Sequence, residues 1–178
     1  EKGGVHTPEG SYSVSKNAFV PRSELAVYDR QAFRAPVLGS GAIDGKTAGV
    51  TFFEDESVRI WHMEDEVLVI SLKTKMHVIG EGVINGLKMA QEEAAKNFKG
   101  LVIWNTDAAE GGAFSAGADL QSALPLFMQG GAKAMEPGIK GLQNAFMAMK
   151  YSNVPVVAAV AGLALGGGCE MALHASKR

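Results

Sequence analysis

Two glycine-containing segments are the parts of this sequence best suited to chemistry. Residues 113–120 read AFSAGADL, and residues 165–170 read LGGGCE. The small residues in both segments let the backbone approach a ligand closely, and each segment is predicted to open a helix. The first N–H groups of a helix lack partners within the helix, so both segments offer donors to an anionic oxygen. Two such donors that face one carbonyl group would form an oxyanion hole.

One carboxylate, that of Glu170, stands beside the second segment. It follows Gly167 by three residues, about one helical turn, so it is predicted to share the face that holds the glycine N–H. The neighbouring residues Leu165, Met171 and Leu173 predict a largely apolar surround. A carboxylate in such a place is suited to exchanging protons with a water or a substrate carbon, which is general acid–base chemistry.

The elements that would position these segments alternate between strands and helices. The predicted strands cover residues 58–62, 67–72, 101–104 and 154–160, and the first two form a hairpin turned at residues 64–66. The predicted helices cover residues 82–98 and 138–149, and two more begin near residues 119 and 167. This order predicts a parallel α/β sheet, which would bind ligands beyond the carboxyl ends of its strands.

Composition excludes several classes of partner and location. A net charge of −2 and a pI near 6.1 lack the basic character typical of nucleic-acid-binding proteins. The single cysteine, Cys169, cannot form an internal disulfide, and the N-terminus shows no signal-peptide pattern, so a cytoplasmic location is predicted. The longest apolar run, residues 154–165, is too short to span a bilayer, and no membrane association is expected.

Residues 58–178 resemble the crotonase family of enoyl-CoA hydratases and isomerases, above all at 114–119 (FSAGAD) and 155–170. The resemblance implies an α/β crotonase (ClpP-like) fold, in which ββα-type repeats form a parallel-rich sheet, here incomplete at the C-terminus. Residues 41–178 are therefore expected to be the N-terminal part of this domain. Residues 1–40 contain many Gly, Ser and Pro and are expected to be a tail or linker.

The resemblance also implies roles for individual residues. The N–H groups of Ala118 and Gly167 would polarise the thioester carbonyl of an acyl-CoA. Glu170 matches the first of two glutamates with which family hydratases activate water, and the second would follow Arg178. The other residues assigned to substrate binding are Ala116, Gly117, Asp119, Gly166, Lys75 and Met76. Residues 73–77 (KTKMH) depart from the usual Asn-Arg-Pro pattern of the family.

The implied activity is addition of water to a trans-2-enoyl-CoA in fatty-acid β-oxidation, with no cofactor bound by this chain. Residues 19–25 and 30–38 resemble the connector of large bacterial fatty-acid oxidation proteins. That similarity implies a bifunctional protein whose 3-hydroxyacyl-CoA dehydrogenase region, outside this chain, binds NAD. The expected partners are an acyl-CoA thioester, further copies of the chain or the dehydrogenase domain. The alternatives are enoyl-CoA isomerisation, thioester hydrolysis and a non-catalytic acyl-CoA-binding module.

For several residues, a structural role is an alternative to a catalytic or metal-binding role. Asp119, in the first turn of its helix, is favoured as a helix cap. Ser115 sits in a near match to a nucleophile elbow that lacks the first glycine and has no evident His and Asp partners. His62 and His77 have no carboxylate or cysteine at ligand spacing, which favours structural histidines over a metal site. Cys169 is expected to be a small buried packing residue.

Overall fold

The computed structural model describes residues 6–7, 10–21, 46–63, 66–110 and 112–178. The chain divides into two compact units, Glu1–Ala42 and Ile43–Arg178. In the first unit, an antiparallel sheet is formed by β1 (His6–Thr7), β2 (Gly10–Ser13) and β3 (Ala18–Val20), in that order. These strands are too short to show apolar periodicity, which is why the sequence predicted a tail there. The boundary predicted at residue 40 lies outside the described residues.

A five-stranded mixed sheet forms the centre of the second unit. Its strands, in spatial order, are β4 (Val50–Glu54), β5 (Val58–His62), β6 (Val67–Leu72), β7 (Gly100–Ile103) and β9 (Val156–Ala158). The pairs β4–β5 and β5–β6 are antiparallel, whereas β6–β7 and β7–β9 are parallel. The predicted β5–β6 hairpin is therefore confirmed, and the prediction of parallel strands holds for the second half of the sheet.

Both faces of β5 are largely buried, including the face that carries Arg59 and Trp61. Arg59 is only 4% exposed and Trp61 is fully buried. The guanidinium of Arg59 donates to Thr51 Oγ1 at 2.8 Å and to the Ala48 carbonyl at 2.8 Å, while Trp61 Nε1 donates to Ser71 Oγ at 3.0 Å. Each buried donor thus has an acceptor, which is what allows polar atoms to enter a core.

The described residues of the second unit contain three α-helices and a smaller, second sheet. The helices are α1 (Glu81–Asn97), α2 (Leu120–Lys150) and α3 (Gly167–His174). Helix α1 buries Val83, Leu87, Ala90 and Ala94 against the sheet, as its spacing predicted. The smaller sheet pairs β8 (Ala113–Ser115) with β10 (Leu163–Ala164) in parallel. None of the helices in the described residues has the length and apolar content needed to cross a membrane.

The two helices that the sequence predicted between residues 119 and 149 are present as the two halves of α2, which meet at Gly131. The helix changes direction at Gly131, where φ is 62° and ψ is −156°. This region of backbone space is accessible almost only to glycine, so Gly131 can join two helical halves at an angle. The sequence predicted that the second of these helices begins at residue 138, but the break lies at Gly131 instead.

Candidate functional site

Pairing of β8 with β10 brings the two glycine-containing segments together. The strands are parallel, with Ala113 opposite Leu163 and Ser115 opposite Ala164. Their carboxyl ends therefore lie at the same edge, and the amide of Leu165 extends the pairing by donating to the Ser115 carbonyl at 3.0 Å. Segments 116–119 and 165–168 leave this edge side by side, although about fifty residues separate them in sequence.

The backbone on either side of Ala118 is held by Ile79. The amide of Ile79 donates to the Gly117 carbonyl at 2.7 Å, and the Asp119 amide donates to the Ile79 carbonyl at 3.1 Å. Because successive N–H groups of an extended chain point to opposite sides, this pairing directs the Ala118 N–H away from Ile79. Within the part of the chain that the structure describes, the Ala118 N–H has no acceptor, and Ala118 is exposed.

The amide of Gly167 is also without an acceptor among the described residues, because Gly167 is the first residue of α3. The bonds of the first turn start further along: Gly168 donates to the Leu165 carbonyl at 2.8 Å and Glu170 to the Gly166 carbonyl at 3.1 Å. The first amides of a helix carry its partial positive charge. The arrangement therefore favours a negatively charged or strongly polarised oxygen.

The two unpaired amides are neighbours. A Cβ atom placed on Gly167 would lie 3.6 Å from the Ala118 nitrogen, and one placed on Gly117 would lie 3.1 Å from the Gly167 nitrogen. Gly117 has a φ of +97°, and a Cβ there would also come within 2.7 Å of the Leu165 carbonyl oxygen. Only glycine permits both the conformation and the close approach at position 117. Glycine at 117 thus lets the two segments meet at this point.

A strained turn before α1 supports the first segment. Met76 and His77 adopt left-handed conformations, with φ of 55° and 53°, which cost non-glycine residues energy. Buried His77 is held on both sides: its Nδ1 lies 2.6 Å from the Ala113 carbonyl oxygen and its Nε2 lies 3.2 Å from Asp107 Oδ1. The Ala116 amide donates to the Met76 carbonyl at 3.0 Å. His77 is a structural histidine, as the sequence analysis favoured.

The buried side chains of Ser115 and Asn105 hold β8 in place through hydrogen bonds. Ser115 is fully buried, and its hydroxyl donates to the His77 carbonyl at 2.7 Å and accepts from the Gly117 amide at 3.1 Å. Those contacts fit a structural serine, not a nucleophile. The buried side chain of Asn105 accepts from the Leu72 amide at 2.8 Å and donates to the Phe114 carbonyl at 2.6 Å. The sequence analysis missed Asn105, whose one signal was its position just after a predicted strand.

The environment of Glu170 is more exposed than the sequence predicted. Glu170 lies in the first turn of α3 and is exposed, and Leu165 and Leu173 are 50% and 59% exposed. Of the three residues expected to make the surround apolar, only Met171 is buried, and it belongs to the core cluster. Cys169 was expected to be buried but is exposed. An eight-residue helix buries one stripe, here the one containing Met171, and its remaining side chains stay outside.

Asp119 is the N-cap of α2. Its Oδ1 accepts from the amides of Gln121 at 3.1 Å and Ser122 at 3.2 Å, and its Oδ2 accepts from Ser122 Oγ at 2.6 Å. The hydrogen bond from the Ser122 hydroxyl, followed by that from the Ser122 amide, lowers the pKa of the Asp119 carboxyl below its usual value. These contacts confirm the capping role that the sequence favoured for Asp119.

Two cavities flank the backbone of residues 75–79. The first, of about 620 Å³, is mixed in character, and its lining includes Lys46, Lys73, Lys75, Met76, His77 and Asp107. The second, of about 490 Å³, lies between α1 and α2, and its lining includes Ile79, Ile84, Ala118, Leu126, Met135 and Leu142. Lys75 and Met76 are therefore near the first cavity and Ala118 and Asp119 near the second, while Gly166, Gly167 and Glu170 line neither.

The chain matches a known protein family and is similar in sequence to known proteins. Residues 63–176 match the family model described as enoyl-CoA hydratase/isomerase. The chain is 32% identical, over 97% of its length, to a Rickettsia felis protein named as a fatty acid oxidation complex trifunctional enzyme, and spans 24% of that protein. It is 32% identical, over 84% of its length, to a Bacillus subtilis protein named as a 3-hydroxyacyl-CoA dehydrogenase, and spans 19% of it.

The fold is also similar to that of a solved structure. The crystal structure of an enoyl-CoA hydratase from Polaromonas sp. JS666 superposes with a TM-score of 0.59 at 26% identity. The superposition covers 67% of this chain and 46% of that one. The match supports the α/β architecture predicted from the sequence.

Proposed function

Since the chain belongs to the enoyl-CoA hydratase/isomerase family, we propose that it carries the carbonyl-polarising part of an enoyl-CoA hydratase. One observation carries the proposal: the N–H groups of Ala118 and Gly167 are adjacent, and neither has an acceptor in the described part of the chain. Two such donors are what an acyl thioester needs when its oxygen gains charge. We assign the oxyanion hole to these two amides.

The reaction adds water across the C2–C3 double bond of a trans-2-enoyl-CoA. The thioester oxygen accepts hydrogen bonds from Ala118 and Gly167, and these bonds strengthen as water adds at C3 and negative charge moves onto that oxygen. Each donor lowers the barrier by about 3 kcal/mol. The adding water loses one proton to a base and the enolate takes one proton at C2, so one water molecule is added overall. The N-terminal end of α3 adds a favourable field because Gly167 is its first residue.

Glu170 is proposed as the acid–base group. It lies three residues after Gly167 in the same helical turn, so its carboxylate is within reach of a substrate held at the hole. Its exposure leaves the carboxylate accessible to water and substrate. In family hydratases the corresponding glutamate works with a second one, and we expect that partner to follow Arg178.

The first cavity is proposed to receive the CoA moiety. Lys75 and Met76 line it and lie next to the segment that bears Ala118. Lys75 supplies positive charge for a phosphate, and Met76, 56% exposed, supplies an adaptable apolar surface. Lys73 is less suited to this role because it already pairs with Glu54 at 2.8 Å. Ala116, Gly117 and Gly166 contribute backbone around the thioester.

The activity of the whole protein is a further part of the proposal. The relatives named as a trifunctional enzyme and as a dehydrogenase support a bifunctional protein in fatty-acid β-oxidation. Its 3-hydroxyacyl-CoA dehydrogenase region, outside this chain, would bind NAD and oxidise the hydration product. This chain would need no cofactor of its own. Further copies of the chain or the dehydrogenase domain are its expected partners, in the cytoplasm.

The test is turnover of crotonyl-CoA by the full-length protein. Hydration removes the conjugated enoyl absorbance and yields 3-hydroxybutanoyl-CoA, which chromatography identifies. Thioester hydrolysis would instead release free CoA thiol, and isomerisation would move the double bond of a 3-enoyl-CoA. Binding of crotonyl-CoA without any of these products would point to a non-catalytic module and would refute the hydratase proposal.

A further inference from the structure

The turn formed by residues 75–79 supports the segment that bears Ala118. The backbone of Ile79 is bonded on either side of Ala118, and the Ala116 amide donates to the Met76 carbonyl at 3.0 Å. Both contacts are made by the backbone, so the position of the Ala118 N–H depends on the conformation of this turn. A group that fixes the turn therefore also fixes one donor of the proposed oxyanion hole.

His77 lies in this turn and adds two contacts to the same segment. Its carbonyl accepts from the Ser115 hydroxyl at 2.7 Å, and its Nδ1 lies 2.6 Å from the Ala113 carbonyl oxygen. A carbonyl oxygen only accepts hydrogen bonds, so the ring donates in this contact. Because a φ of 53° is unfavourable for a residue with a side chain, His77 needs such contacts to keep its conformation.

Asp107 holds the ring of His77 from the opposite side. Its Oδ1 lies 3.2 Å from His77 Nε2, and it belongs to the short 3₁₀ helix Thr106–Glu110 that follows β7. A half-turn of the ring about its Cβ–Cγ bond would place carbon atoms where the two nitrogens now lie, and both contacts would be lost. Asp107 therefore favours the ring orientation that reaches Ala113. Its side chain is 57% exposed, so its removal leaves the core packing intact.

From these contacts we propose that Asp107 and His77 are positioning residues for the oxyanion hole. Asp107 orients the ring of His77, and His77 keeps the segment 113–118 where the Ala118 N–H lies beside Gly167. The inference rests on the proposed function, which gives the Ala118 N–H its role. The pair acts through the backbone, so its loss would displace a donor from the developing charge and slow the reaction without removing a contact to the substrate.

Direct contact with CoA is the alternative role for the same pair, because Asp107 and His77 both line the first cavity. The two roles predict different kinetics. Loss of a CoA contact would raise KM and weaken the binding of free CoA, since CoA stays bound throughout the reaction. Loss of positioning would lower kcat and leave KM and the affinity for free CoA close to their wild-type values, because the bond to the thioester oxygen strengthens in the transition state.

The first experiment compares Asp107→Ala with Asp107→Asn in the full-length protein. Asp107→Ala should lower kcat for crotonyl-CoA about 10-fold, with KM and the calorimetric affinity for free CoA nearly unchanged. Asp107→Asn should recover most of the loss, because its amide can donate to a ring nitrogen or accept from one. The control is Glu92→Ala, which removes an exposed carboxylate on α1 that lines neither cavity, and its kinetics should match those of wild type.

The second experiment asks whether Asp107 acts through His77. His77→Gly removes the ring but tolerates the left-handed backbone, and it should lower kcat at least as much as Asp107→Ala does. The double variant should be no slower than His77→Gly, because the carboxylate then has no ring to orient. Urea denaturation identifies a variant that does not fold, and in that case the two variants at Asp107 still decide the question.

Hydrogen–deuterium exchange gives a readout that needs no turnover. The Ala116 and Asp119 amides donate to carbonyl groups of the turn. Peptides covering residues 113–119 should therefore exchange faster in Asp107→Ala than in wild type, and Glu92→Ala should show no change.

The inference is overturned by a wild-type kcat or unchanged exchange in Asp107→Ala, by a loss confined to KM and CoA affinity, or by an Asp107→Asn variant as slow as Asp107→Ala. A double variant slower than His77→Gly would overturn the route through the ring. Absence of crotonyl-CoA hydration by wild type would instead refute the proposed function, and the exchange measurement would then still test whether the pair holds the segment.

Discussion

The Ala118 nitrogen lies 3.6 Å from the point that a Cβ atom on Gly167 would occupy. The first of these residues follows β8, and the second begins α3 after β10. Three features maintain the approach: the parallel β8–β10 pair, the bonds of Ile79 on either side of Ala118, and the absence of a side chain at Gly117.

Removing the Gly167 N–H should impair catalysis more than stability. Proline is tolerated at the first position of a helix, where its missing N–H breaks no helical bond, so Gly167→Pro removes one donor from the proposed hole. We expect kcat for crotonyl-CoA to fall about 100-fold or more. The matched variant Gly167→Ala keeps the N–H, and its Cβ meets nothing closer than 3.6 Å. Steady-state kinetics giving similar losses for both variants would count against the assigned donor.

Gly117→Ala should destabilise the protein. The substitution forces a side chain into a conformation with φ of +97° and brings its Cβ to 2.7 Å from the Leu165 carbonyl oxygen. The strain alone is expected to cost about 1–3 kcal/mol in the free energy of unfolding, measured by urea denaturation. Gly141→Ala serves as the control, because its Cβ makes only a 4.0 Å contact and should stabilise α2 by up to about 1 kcal/mol. A Gly117→Ala variant as stable as wild type would contradict the steric argument.

The Asp119 cap should make α2 sensitive to acid. Asp119→Ala is expected to lower the free energy of unfolding by about 1 kcal/mol near neutral pH, whereas Asp119→Asn should retain most of the cap. Because hydrogen bonds lower the pKa of Asp119 in the folded state, its ionised form stabilises the protein above the unfolded-state pKa. This contribution is lost as the pH falls through the lower, folded-state pKa.

Denaturation curves collected at several pH values between neutral and about pH 3 test the linkage. The stability difference between wild type and Asp119→Asn should shrink as the pH falls. A difference that is constant over this range would show that the carboxylate does not gain its stabilisation from the cap.

Relief of the left-handed turn at Met76 should stabilise the protein. Met76 has a φ of 55° and its side chain is 56% exposed, so Met76→Gly removes strain and little packing. An increase of about 1 kcal/mol in the free energy of unfolding is expected. If Met76 also contacts CoA, the same variant should bind free CoA more weakly, which calorimetry would detect. Met63→Gly, at an exposed residue with no positive φ, is the control and should not stabilise.

Local patterns predicted the regular elements well. The β5–β6 hairpin, helix α1 and strand β7 were predicted within a few residues, because each carries an apolar period or a β-branched run. The cap at Asp119 was also predicted, since an acidic residue at a helix start has a local cause. The family resemblance predicted that Ala118 and Gly167 belong to one site.

What the sequence did not predict depends on contacts distant along the chain. Strands β8 and β10 have three and two residues, too few for any period, and exist because they pair with each other. The burial of Arg59 required a strand on each side of β5, and β4 was not foreseen. The exposure of Cys169 and Glu170 follows from which stripe of α3 meets the core, a choice that spacing within one short helix does not decide.

The two-residue strand β10 has a consequence for how this protein gains its activity. Ala118 and Gly167 meet only after a segment has returned across the intervening α2 and β9, so the donor pair forms through long-range contacts, which close late in folding. A peptide that contains only one of the two glycine segments would hold only one of the two N–H donors. The donor pair therefore depends on both segments and on the chain that connects them.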